Sequence, residues 1–236
     1  MITWAEDGKP LQMFGTHTDI DELKKNSDKI KKLLEEKELV LKEVHHRIKN
    51  NMNVISSLLH LQTSVVNDPA AVLALQDAIN RIKSMSLLYD KLYQAPSYSE
   101  LSIHQYLSAL VDEVVANFPN SQRITIEKDL KDFNDFMLDV KRLQLLGIIM
   151  NELLTNAMKY AFSGKEQGRI LVSSTYVENH LTVSVQDDGI GIPALVSFEN
   201  TTGFGLQLVV TLAQQLNGTI RLERDSGTKF VLEFDA

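Results

Sequence analysis

Residues 41–62, LKEVHHRIKNNMNVISSLLHLQ, set two histidines side by side in a run with helical periodicity and neither Gly nor Pro. Extending that period both ways predicts one long helix from about Asp19 to Gln62. With a at Ile20, Ser27, Leu34, Leu41, Ile48, Ile55 and Gln62, d falls at Leu23, Ile30, Lys37, Val44, Asn51 and Leu58. Apolar residues fill most of both rows, which suits a two-helix or four-helix seam better than a solvated rod. His46 then stands at f, about 160–200° round the helix from Val44 and Ile48, and points away from the seam. His45, at e, lies only about 60° from Ile48 and flanks the packed surface. Glu43, Lys49 and Asn50 share the face of His46 at helical spacing. A neutral imidazole nitrogen is a competent nucleophile toward an activated phosphoryl group. Most single histidines on a helix are solvated and inert, so support must come from elsewhere in the chain.

Downstream, NDPAA (67–71) breaks the helix, with Asp68 as N-cap and Pro69 at the first position of a second helix reaching about Tyr93. Ile79, Ile82, Leu88, Tyr89 and Leu92 lie near one face of it. QAPSYSE reads as a linker, followed by the helix SIHQYLSALVDEVVANF. The texture then changes to a strand (RITIEKDL), a helix (DVKRLQLLGIIMNELLTNAMKYAF) and a hairpin (RILVSSTYVENHLTVSVQ). A Gly-rich loop, the helix GLQLVVTLAQQLNG and a last hairpin close the chain. The fold class is α+β: a long helical hairpin, then an α/β sandwich with helices covering one face of a sheet. The expected divisions are 1–18, 19–96 and 97–236. In the first, DGKPLQMFGTHTDI reads as a Gly-containing turn and a strand from Leu11 to Thr16. A strand pair that small is not stable alone, so it either closes an upstream domain or pairs with another chain.

The bulk numbers remove several classes. At 44% hydrophobic and 23% charged residues the chain can bury a core and is not disordered. A net charge of −7 argues against a nucleic-acid partner. With no Cys there are no disulfides, thiolate metal sites or Cys nucleophiles, which fits a reducing compartment. No apolar run is long enough for membrane insertion, and the first residues lack a signal-peptide layout, so a cytoplasmic location is expected.

Three patterns in the C-terminal part bear on chemistry. In NELLTNAMKY, Glu152, Asn156 and Lys159 form one stripe, opposite Leu146, Ile149, Met150, Leu153 and Ala157. An amide oxygen suits Mg²⁺, a carboxylate one turn earlier can hold its water or take a proton, and a lysine can reach a phosphate. In LTVSVQDDGIGIP, Leu181, Val183, Val185 and Asp187 share parity, which aims a carboxylate inward at the end of an apolar row. Such a carboxylate needs a donor, and the exocyclic amino group of adenine is one. Gly189 and Gly191 permit close backbone approach. In TTGFGLQLVVTLAQQLNG, Gly203 and Gly205 precede a helix closed by Gly218, so its N-terminus offers N–H groups to a phosphate. Thr228 has the parity of Phe230, Leu232 and Phe234 and faces the same interior as Asp187. Taken singly, each has an ordinary alternative: a solvated stripe, an Asp-Gly turn, a short G-x-G.

In order and spacing together, residues 19–236 resemble the sensor histidine kinases. The C-terminal part resembles the GHKL, or Bergerat-type, ATP-binding fold: NELLTNAMKY matches the N box, DDGIG and GFGLQLV the two glycine boxes, and GTKF the last motif. EVHHRIKNN resembles the acceptor box of the subgroup related to the HWE kinases, in which the His before R-[IV]-K-N is phosphorylated. The resemblance implies that His46 takes the γ-phosphoryl group of ATP and passes it to a response-regulator receiver domain. It implies Mg²⁺ on Asn156, with Glu152 orienting its water or acting as base. Lys159, Gly203, Phe204, Gly205 and Leu206 would meet the phosphates. Asp187, Gly189, Gly191, Thr228 and Tyr160 would complete the nucleotide pocket, with 194–202 as its lid. The seam would make a homodimeric four-helix bundle. GTHTDID resembles the closing strand and exit motif of PAS sensor domains.

Departures from the pattern accompany the match. Arg47 follows the acceptor His where commoner kinases carry an acid, and Glu43 is the candidate substitute. The only Trp is Trp4, so the HWE hallmark Trp is missing, and Asn151 stands where HWE members often have His. The alternative readings are a GHKL ATPase or serine kinase, and a docking module acting mainly as a response-regulator phosphatase with Asn50 positioning water.

Overall fold

The computed structural model describes residues 2–4, 6–13, 19–94, 100–130, 137–193, 204–224 and 226–235. These fall into two compact units, Met1–Glu43 and Val44–Ala236. In the first, β1 (Ile2–Trp4) and β2 (Pro10–Met13) form an antiparallel hairpin with Ile2 opposite Met13. Gly8 takes φ +78° in its turn, and the Lys9 N–H donates to Asp7 Oδ1 at 3.2 Å. The predicted strand therefore begins at Pro10; residues 14–18 lie outside the described residues.

Helix α1 (Asp21–Val65) and α2 (Pro69–Gln94) are the two predicted helices. Asp68 caps α2 as expected, accepting from the Ala70 N–H at 3.0 Å, with Pro69 at the position whose missing N–H costs nothing. Ile79 and Leu88 of α2 are buried, and Leu88 joins the main core. Then come β3 (Glu100–Ser102), α3 (Ile103–Ala116), β4 (Ile124–Asp129), β5 (Met137–Asp139) and α4 (Val140–Asn156). The chain finishes with β6 (Gly168–Val177), β7 (His180–Asp187), α5 (Phe204–Gln215), β8 (Thr219–Glu223) and β9 (Thr228–Asp235).

The main sheet has the order β4-β6-β7-β9-β8, with β4 parallel to β6 and the other pairs antiparallel. Alternate residues Leu181, Val183 and Val185 of β7 and Phe230, Leu232 and Phe234 of β9 are buried in one cluster with α3, α4 and α5. That is the predicted sandwich. Gly147 shows how closely α3 and α4 approach, since a Cβ there would sit 1.8 Å from the hydroxyl of fully buried Tyr106. Two features were not read from sequence. Glu100 of the expected linker and Ser102 of the expected helix instead belong to a strand, residues 100–102, that pairs with β5 in a small second sheet, Leu101 opposite Leu138. The helix predicted through Phe162 widens into one π turn at Ala157–Ala161.

The end of α5 corrects another expectation. Asn217, at φ +56°, takes the left-handed position assigned to Gly218. Gly218 is needed for close approach instead, because a Cβ there would stand 2.4 Å from the Glu233 carbonyl oxygen.

Candidate active site

The C-terminal end of β7 and the start of antiparallel β9 hold the first part of the site. Asp187 pairs in register with Thr228, and both are buried, at 5% and 3% exposure. Asp187 Oδ1 accepts the Gly189 N–H at 2.9 Å and the Thr228 N–H at 3.2 Å. Burial raises the pKa of this carboxyl, and the donors from Gly189 and Thr228 oppose the shift. A desolvated carboxylate with apolar neighbours profits from a further donor, which is what an adenine amino group offers. The walls come close enough to exclude side chains. A Cβ on Gly189 would lie 2.3 Å from the Ala161 carbonyl oxygen, and that oxygen accepts the Ile190 N–H at 2.8 Å. The π turn of 157–161 is thereby pinned to the DDGIG loop. Gly191 takes φ +77°.

Along α4 and its π turn, Glu152 is buried while Asn156 and Lys159 are half-buried. Glu152 and Lys159 of this stripe face α2. Arg81 donates from Nε to Glu152 Oε1 at 2.6 Å and from Nη2 to Oε2 at 2.9 Å. The pair keeps the guanidinium above its ordinary pKa. One turn earlier on α2, Asp77 accepts from Lys159 Nζ at 2.5 Å. One turn later, Ser84 donates to Asn151 Oδ1 at 3.0 Å. At the start of α5, a Cβ on Gly205 would meet Glu152 Oε2 at 2.6 Å, and the Phe204 ring lies under the Arg81 guanidinium, 5.0 Å from Cζ to its centroid.

The histidine pair separates as the helix geometry requires. His45 is buried at 9% exposure and meets Tyr89 edge to face, ring centroids 5.5 Å apart. His46 is exposed, as are Glu43 and Asn50. Lys49, from the same face, pairs with Asp90 of α2.

Residues 43–118 match the family described as "Histidine kinase", and residues 141–236 match the "Histidine kinase-, DNA gyrase B-, and HSP90-like ATPase" family. The chain belongs to the histidine kinases. Residues 141–236 are accordingly an ATP-binding domain. Over 231 residues, 95% of this kinase and 44% of the relative, it is 30% identical to sensor histidine kinase PdtaS of Mycolicibacterium smegmatis. Over 201 residues, 83% of this kinase and 56% of the relative, it is 27% identical to blue-light-activated histidine kinase 2 of Erythrobacter litoralis. The kinase thus spans about half the length of these relatives. The solved histidine kinase domain of the Erythrobacter litoralis EL346 blue-light-activated kinase superposes with a TM-score of 0.61 at 25% identity. That match covers 82% of this kinase and 92% of the solved chain.

The structure brings Glu152 of α4 against Gly205 at the start of α5, with Asn156 and Lys159 further along the same stripe, and brings Asp187, Gly189 and Thr228 together where β7 ends and β9 begins, with Gly191 next in the loop. Tyr160 is 65% exposed beside Lys159, and Leu206 packs against the core. Gly203 and the predicted lid, 194–202, lie outside the described residues. His46, Glu43 and Asn50 stand on α1, apart from these elements in sequence.

Three participants were missed. Gly227, at φ +122°, would place a Cβ 2.0 Å from the Asp187 carbonyl oxygen, and its signal was the first letter of GTKF. Arg81 and Asp77 carry no motif, and only the fold shows what they hold. Among the described residues no cluster of His, Cys, Asp and Glu is arranged to hold a metal. A site built on one amide oxygen, waters and substrate phosphates would not need one. No helix among the described residues is long and apolar enough to cross a membrane.

Proposed function

We propose that this chain is the transmitter core of a sensor histidine kinase that phosphorylates His46 and passes the phosphoryl group to an aspartate of a response-regulator receiver. The observation that carries this is the contrast at the acceptor box. Of two adjacent imidazoles on α1, His45 is packed against Tyr89 and His46 is solvent-exposed. Phosphoryl transfer asks for in-line access and charge neutralisation, and only the exposed ring offers the access. In the transfer, a ring nitrogen of His46 forms a bond to the γ-phosphorus as the bond from that phosphorus to the β,γ-bridging oxygen breaks. ADP leaves, and the proton on the other ring nitrogen, which the new N–P bond makes acidic, passes to a base, for which Glu43 on the same helix face is the candidate. The resulting phosphoramidate yields its phosphoryl group to the receiver carboxylate, and the His46 ring is regenerated.

In the ATP domain, Asp187 and Thr228 anchor the adenine, and Gly189 and Gly191 let the backbone approach it. Asn156 would hold Mg²⁺ and Glu152 would orient one of its waters, while Lys159 and the start of α5 would meet the phosphates. Bound Mg²⁺ neutralises the charge that develops on the phosphates. Residues 1–18 are read as the end of a PAS-type sensor, 19–96 as the dimerising acceptor hairpin and 97–236 as the ATP domain of a cytoplasmic homodimer. The test is the chemistry of the label after incubation with γ-labelled ATP and Mg²⁺. An acid-labile, alkali-stable label that chases onto a receiver domain is expected. An acid-stable label would assign a serine kinase instead.

A further inference from the structure

Helix α2 presents, four residues apart, an anion and a cation to the two groups that the nucleotide site assigns to a phosphate and a hydrated metal. Asp77 occupies Lys159, and Arg81 occupies both oxygens of Glu152. The arrangement is not a loose surface pairing. The side chains of Arg81 and Glu152 are 17% and 6% exposed, and those of Asp77 and Lys159 are 28% and 21% exposed. The same interface is extended by Ser84 on Asn151, both buried, and by the Arg81 guanidinium over Phe204 at the start of α5.

We infer that α2 is a charge-mimicking latch: Asp77 and Arg81 stand in for the phosphate and the metal, and hold the ATP domain in a docked, nucleotide-poor state. This rests on the roles proposed above for Glu152 and Lys159. The physical reason is the cost of leaving a buried charge alone. Withdrawing Arg81 strands a carboxylate in low dielectric, which is strongly unfavourable unless another cation replaces it. Mg²⁺-nucleotide supplies a cation toward Glu152 and an anion toward Lys159 together, so it competes for both contacts in one event. By linkage, nucleotide binding then weakens the docking of α2 as much as that docking weakens nucleotide binding. Because α2 follows α1 in the acceptor hairpin, filling the site also frees the element that must bring His46 to it. A shift in how α1 and α2 pack, imposed from the N-terminal side, would open the latch from the other direction.

The experiment is equilibrium binding of a fluorescent ATP analogue with Mg²⁺, for wild type, Asp77→Asn, Arg81→Gln and Asn156→Ala. Amide hydrogen exchange over α2 is measured with and without the nucleotide. Asp77→Asn is the decisive variant, because it is isosteric and an aspartate is no ligand for phosphate. The latch predicts tighter binding in Asp77→Asn and in Arg81→Gln, by roughly fivefold or more, the lower end of ordinary coupling between sites. It also predicts faster exchange in α2 of the wild type when nucleotide is added. Unchanged affinity in Asp77→Asn, while Asn156→Ala loses binding, overturns the latch and leaves the site reading intact. Weaker binding in Arg81→Gln overturns it too, by making the guanidinium a nucleotide ligand. Full binding in Asn156→Ala removes the site reading, and the latch with it.

Discussion

His45 and His46 are one residue apart, and the helix gives them opposite surroundings. Burial lowers the pKa of His45 from its ordinary 6.5, because a charged imidazolium would be desolvated against Tyr89. The unfolded chain therefore takes up a proton at higher pH than the folded one. The stability associated with neutral His45 is complete above about pH 6.5 and is lost as pH falls from there through the lower folded value. Urea unfolding at pH 7.5 and 5.5 should show a loss at the lower pH that shrinks in His45→Gln. Equal pH dependence in the two proteins would contradict this. What sequence disclosed at this scale depended on range. Asp187 and Thr228 were placed correctly because strand parity is a local rule, and each needs only its own neighbours along the chain. The Arg81–Glu152 pair joins residues 71 positions apart, and nothing local marks an arginine inside an ordinary amphipathic helix.

Helix α1 carries its seam in the open. Within the first unit Ile20, Leu23, Ile30 and Leu34 are all more than half exposed; within the second, Ile55 and Leu58 are 49% and 60% exposed. Such rows on a helix are what a second copy would cover, and burying each such side chain is worth roughly 1.5–3 kcal/mol. Ile55→Glu combined with Leu58→Glu is therefore expected to convert a dimer to a monomer in sedimentation velocity, with ATP binding retained. A wild type that sediments as a monomer would contradict the seam. Long periodic elements were legible because many residues repeat one signal. The three-residue strands β3 and β5 were not, since so short a pairing is fixed by what packs around it. The π turn escaped too: its last carbonyl, that of Ala161, is tied to Ile190, a contact made across 29 residues of chain.

For the molecule as a whole, catalysis needs two elements to meet: the acceptor helix and the nucleotide site. The family match supplies both parts, and α2 joins them, since it belongs to the hairpin and touches the ATP domain through Asp77, Arg81 and Ser84. The α/β sandwich was visible in the sequence because the order of N box, glycine boxes and last hairpin constrains it strongly. How the hairpin docks on it was not, because polar contacts between distant segments leave no periodic trace. The central claim is that His46, and not His45, receives the phosphoryl group. Its most direct test is γ-labelled ATP with Mg²⁺ on wild type, His45→Gln and His46→Gln, with nucleotide binding measured in parallel. The account predicts label in wild type and His45→Gln, and none in His46→Gln despite unchanged ATP binding. Label that persists in His46→Gln would contradict it.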